Sequence, residues 1–245
     1  MTSSNPPSGP PDPASLSAVV GMGGAASAAA TTSGSGRMRM SLPFHHLLAA
    51  AKIAREIAAI ETANQDAPFG SFYDDILGAS VGCVVLSAAA AEADVNEVFA
   101  DRERHFSAHD RGVLDLLWNA YEQKSVIEKY ELALKLRGGA ALDNGARWVQ
   151  SLARLLKLRN ALIHFKPEWD DEQVEQVRLG KKLEGYVSRS PWFPGEPLFP
   201  RAWATAGTAS WSVTTVVEFI RRFAELAGIP DRLAKFRERL VVPAR

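Results

Sequence analysis

A run of sixteen uncharged residues, Ile76–Ala91, lies between Asp75 and Glu92 and constrains the fold more than any other stretch. It falls short of the roughly 20 apolar residues that span a bilayer, so no membrane partner is expected. A helix that is apolar on nearly all sides needs a buried position. The run is therefore expected to form the central helix of a bundle, from about Tyr73 to Asp101. Glu92, Asn96 and Glu97 follow the run, and Glu92 and Asn96 are i, i+4 neighbours on one face. No strand pattern and no internal repeat interrupts the helical periodicity, so the fold class is all-α.

The rest of the chain supplies the helices that would surround it. Ser41 is placed to cap a helix with Pro43 in its first turn, running to about Thr62. Ser107 is placed to cap a helix of about Asp110–Gln123, and Ser125 one of Val126–Leu136 that Gly138 and Gly139 end. Asp143 is expected to cap the helix that opens at Arg147, and Asp170–Leu183 reads as a charged surface helix. Pro191, Pro194, Pro197 and Pro200 forbid helix between Ser188 and Trp203. The aromatics there, Trp192, Phe193, Phe199 and Trp203, suggest a loop that packs on the body or on a partner. A helix of about Ala209–Ala227 stops at Gly228, and Pro230 opens a last basic helix to Leu240.

Residues 1–40 are mostly Pro, Ser, Gly and Ala, with Asp12 the only charge before Arg37. Such a composition cannot offset its ordering entropy and reads as a disordered tail; residues 41–245 read as one helical domain. The tail lacks the basic start of a signal peptide and the arginine-rich character of a transit peptide. Cys83 is the only cysteine, which excludes an internal disulfide and a thiolate zinc site and fits a reducing cytoplasm.

Lys plus Arg equals Asp plus Glu at 28 each, so the whole chain has no bias toward polyanions. Locally the balance breaks. Arg147, Arg154, Lys157, Arg159 and Lys166 fall between Asp143 and Glu168 with no acid among them. The patch suits phosphate, and equally a solvated helix face. In the same stretch, RWVQSLARLLKLRNALIHFKP, apolar residues recur at Trp148, Leu152, Leu155, Leu162 and Ile163. Arg159 falls inside that stripe, where a guanidinium needs an anionic partner. Asn160 and His164 are one turn apart on the adjoining face, and Pro167 ends the helix.

The sequence R-N-A-L-I-H at Arg159–His164 resembles the Arg-x(4–6)-His motif of the HEPN family, small helical bundles that include metal-independent ribonucleases. Ala88–Glu97 (AAAAEADVNE) is similar to the helix that packs beside that motif, and Glu128–Gly139 (EKYELALKLRGG) resembles its lead-in. The likeness covers roughly residues 43–228 and implies an up-and-down HEPN-type bundle with extra helices. It implies an endoribonuclease working without metal or other cofactor, as a homodimer with RNA as partner, in a toxin or phage-defence setting with a neutralising neighbour. The residues it assigns are Arg159, Asn160 and His164 as catalytic and Glu92 and Asn96 as supporting. Arg147, Arg154, Lys157 and Lys166 would contact RNA.

The spacing alone is unspecific, since Arg104–His109 and Arg39–His45 also satisfy it. An alternative of another class fits the same residues: a non-catalytic interaction module in which Arg159 bridges Glu92, Asn96 completes the network and His164 caps carbonyls. Asp101, His105 and His109 have ligand spacing only on a continuous helix, which Ser107 interrupts, and His45 and His46 point to different faces. Trp118, Trp148 and Trp211 sit on apolar faces as core residues. No phosphate-cradling glycine loop, nucleophile elbow or H-E-x-x-H is present.

Overall fold

The computed structural model describes residues 40–169 and 171–244. The expected tail lies outside the described residues, apart from Met40. Helix α2 (Phe72–Ala100) is the axis of the body. It packs against α1 (Pro43–Ala63), α5 (Val126–Leu136), α6 (Arg147–Ile163) and α8 (Ala206–Ala227). Short helices α3 (Arg102–His105) and α4 (Arg111–Tyr121) lead from α2 to α5, and α7 (Val174–Leu183) follows α6. No strand occurs among the described residues, and the chain is an all-α helical bundle.

An 18-residue window of α2 reaches a mean hydropathy of 1.8, enough by length and composition alone to cross a membrane. Its side chains have another destination. Ile76, Ser80, Cys83, Val84, Ser87, Ala88, Ala91 and Val95 are buried in a helix packed against four others. The burial of one apolar helix by several amphipathic ones is what drives the assembly.

Three caps differ from expectation for local reasons. Leu42, not Ser41, precedes α1, and the Ser41 hydroxyl has no partner. Asp110 caps α4 by accepting from the Val113 N–H, because α4 starts at Arg111 and leaves Ser107 three residues short of the cap position. Asp143 spends its carboxylate on the Gly145 N–H in a tight turn, so Ala146 precedes α6 without a side-chain cap. Ser125 does cap α5, in a reciprocal box with Glu128, and Gly138 follows at φ +66°. Helix α7 starts at Val174, four residues later than expected, and α8 at Ala206, where Thr205 accepts from Thr208. The basic stretch after Pro230 forms a 3-10 helix, Ala234–Leu240.

The proline-rich segment packs on the body. Trp192 and Phe193 sit edge-on against Phe72 and Tyr73 at ring separations of 4.9–6.2 Å, and the Trp192 N–H donates to the Ala67 carbonyl. Phe199 and Trp203 are fully buried. One turn, Leu198–Ala202, closes the segment with a cis Phe199–Pro200 bond. Phe199 is extended within that turn, at φ −120° and ψ 133°, so no continuous helix forms there, as the prolines require.

Candidate active site at the end of helix α6

Helix α6 meets the body through Val149, Leu152, Leu155 and Leu158. Trp211 of α8 donates to Ser151, which in turn pairs with Thr215, and these bonds fix the rotation of α6 against α8. Arg159 lies one and two turns beyond Leu155 and Leu152 on that face, as the stripe predicts. The last turn outruns the body, however. Leu162 is half-buried and still packs against the core, but Ile163 is 51% exposed and does not join it as expected.

This overrun makes the site open. Arg159 retains 25% side-chain exposure, while Asn160 and His164 are fully surface residues. His164 is the residue after the helix, and its N–H still donates to the Asn160 carbonyl. Ile163, Phe165 and Trp169 leave an exposed apolar rim beside it.

The anion that Arg159 requires is Glu92 of α2. Arg159 Nη2 lies 3.6 Å from Glu92 Oε2, while Nε is buried without a partner. The other oxygen, Oε1, lies 3.5 Å from Lys129 Nζ. Asn96 completes the cluster from the lysine side: Lys129 donates to its Oδ1 at 3.2 Å, and Asn96 does not bond Arg159. Lys129 is the residue sequence reading missed. It occupies the i+3 place in the buried pattern Val126, Lys129, Tyr130, Ala133, and a cation in an apolar stripe was the available signal.

Two of the five cations of the expected basic patch, Arg147 and Arg154, have structural employment. Arg147 donates to the Gly185 carbonyl and Arg154 to the Lys182 carbonyl, and both guanidinium groups lie over the Tyr186 ring, at 5.3 and 6.0 Å. These arginines fasten the end of α7 to α6. Lys157 and Lys166 are exposed.

A second charged cluster lies deeper. Asp94 of α2 is fully buried, with Arg232 Nη2 at 2.5 Å and the Tyr130 hydroxyl at 2.8 Å from the same Oδ2. Burial pushes the Asp94 carboxyl above its ordinary range, and Arg232 and Tyr130 oppose that shift. His105 is pushed down by burial and by Arg232. Helix α3 ends at His105, and His109 bonds the Leu136 carbonyl, so the Asp101, His105, His109 spacing does not lie on one helix. Among the described residues, no three His, Cys, Asp or Glu side chains gather as a metal site. Compared with known protein families, curated proteins and solved structures, the chain matches none.

Proposed function

We propose that the protein is a metal-independent endoribonuclease of the HEPN type. The observation that carries this reading is the opening of the Arg-x4-His segment to solvent: an anchored Arg159 that keeps a quarter of its side chain exposed, beside surface Asn160 and His164. In the reaction, the substrate's 2′-hydroxyl attacks the adjacent phosphorus and the P–O5′ bond breaks. The products are a 2′,3′-cyclic phosphate and a 5′-hydroxyl. His164 takes or supplies the proton, since an imidazole can act as either base or acid. Arg159 meets the charge that builds on the phosphate oxygens, and Asn160 orients the phosphate. Lys157 and Lys166 lie on the exposed side for backbone contact. A homodimer would pair two such sites across the exposed rim of Ile163, Phe165 and Trp169. A cytoplasmic effector with a neutralising partner is the corresponding setting.

A second reading has its own support. Arg159, Glu92, Lys129 and Asn96 are linked in one chain of polar contacts, a network of the kind a non-catalytic helical interaction module would carry. The proline-rich loop gives that module no docking surface, because its aromatics pack inward.

Incubation of total RNA and tRNA with the purified protein in EDTA, beside His164→Ala, separates the two. The nuclease yields fragments ending in 2′,3′-cyclic phosphate from the wild type alone. No cleavage by folded protein, or equal cleavage by both, refutes it.

A further inference from the structure

Lys129 is a cation set inside a bundle, with a side chain only 3% exposed. Its ammonium has three neighbours: Glu92 Oε1 at 3.5 Å, Asn96 Oδ1 at 3.2 Å and the Trp118 ring, whose centroid is 5.7 Å away. Trp118 is itself held by stacking on Phe99 at 4.8 Å. The lysine is thus fixed in place and too enclosed to touch a ligand.

Its consequence runs through Glu92. One carboxylate serves two cations, Lys129 through Oε1 and Arg159 through Oε2. Two positive charges against one negative leave the trio at +1. Were Lys129 neutral, Glu92 would balance Arg159 alone and the sum would be zero. Of the two cations Arg159 is the one that reaches solvent, at 25% exposure against 3% for Lys129, so the surplus is expressed there.

We propose that Lys129 is a positioning residue: it draws off Glu92 and leaves Arg159 with unbalanced positive charge for a phosphodiester. The inference takes the chemical class of ligand from the ribonuclease reading, while the charge balance is its own.

The test uses Lys129→Met, Glu92→Gln, the double variant and Lys129→Arg, each checked for folding by circular dichroism. The probe is a fluorescein-labelled deoxyoligonucleotide of about ten nucleotides, which lacks the 2′-hydroxyl and stays intact; anisotropy at low salt reads its binding. Lys129→Met is expected to weaken binding roughly tenfold, the effect of a unit charge at a partly solvated site. Glu92→Gln added to Lys129→Met restores the sum to +1 and the affinity with it, and Lys129→Arg keeps both. A merely structural lysine gives no such rescue. Unchanged binding by Lys129→Met, a double variant no better than the single, or no binding by the wild type overturns the proposal. Should Lys129→Met fail to fold, Glu92→Gln alone decides, since its sum of +2 must tighten binding. Wild-type protein that follows this charge pattern but cuts no RNA refutes the nuclease and leaves the role of Lys129 standing.

Discussion

Arg159→Ala tests the boundary between a site and a strut. A fully buried ion pair stripped of one partner costs about 3–5 kcal/mol, because the remaining charge is stranded. The geometry here is different. The Arg159–Glu92 contact is long, at 3.6 Å, and the two side chains are 25% and 37% exposed. Pairs with that degree of solvent contact contribute about 0.2–1 kcal/mol. Glu92 is not stranded either, since Lys129 remains 3.5 Å from its other oxygen. Truncation also removes the buried Nε that has no acceptor, which offsets part of the lost stem packing. The sum is a loss of about 1 kcal/mol, or a fall in Tm of about 2–4 °C for a chain of this size. Urea and thermal unfolding followed by circular dichroism measure it, with RNA cleavage assayed on the same preparation. The expected result is a folded, slightly weakened protein without activity. A loss above about 3 kcal/mol at unchanged urea dependence would refute the reasoning and make Arg159 a core strut.

Arg232→Met should cost about 3 kcal/mol near neutral pH, because it strips the partner from fully buried Asp94. Arg232 holds the raised Asp94 carboxyl down, so its removal raises that group further and lets the folded state keep a proton that the unfolded chain, near 3.9, releases. Stability then falls as pH rises through the window between the two values, and the cost of the substitution shrinks as pH drops into it. Urea unfolding at pH 5 and pH 8 reads the difference, and a loss independent of pH would be inconsistent with it. Gly180→Ala places a Cβ 2.8 Å from the Phe199 backbone nitrogen, so α7 must move off the Leu198–Ala202 turn. A loss of about 1–3 kcal/mol is expected in the same assay, and no loss would mean that the turn yields freely.

The helices were legible because each carries its own period. The uncharged run between Asp75 and Glu92 already required a buried central helix, and α5 announced both ends through Ser125 and Gly138. The pairing of Arg159 with Glu92 was legible too, since a guanidinium in an apolar stripe needs an anion. Competition among caps was not. Asp110 lies three residues after Ser107, and only the geometry of the turn decides which one reaches a free N–H. Nor was Lys129, because its neighbours come from other helices, Asn96 from α2 and Trp118 from α4. The inward packing of the proline-rich segment was equally hidden, because a row of aromatics has the same composition whether it faces Phe72 and Tyr73 or a partner.

The five cations of the α6 stretch divide along the helix in a way that charge counting cannot reveal. Arg147 and Arg154 are tied to carbonyls at the end of α7 and lie over Tyr186, so their positive charge is held where α7 meets α6. Arg159 is held by Glu92 but keeps solvent contact, and Lys157 and Lys166 are free on the surface. The anchored cations fall in the first half of the helix, and the available ones fall in the second half (Lys157, Arg159) or just past its end (Lys166). An anionic ligand is therefore met at the end of α6 that outruns the body. The other end provides rigidity: its arginines, with the Trp211–Ser151 bond, fix the helix against α7 and α8 so that the overhanging turn projects in one direction.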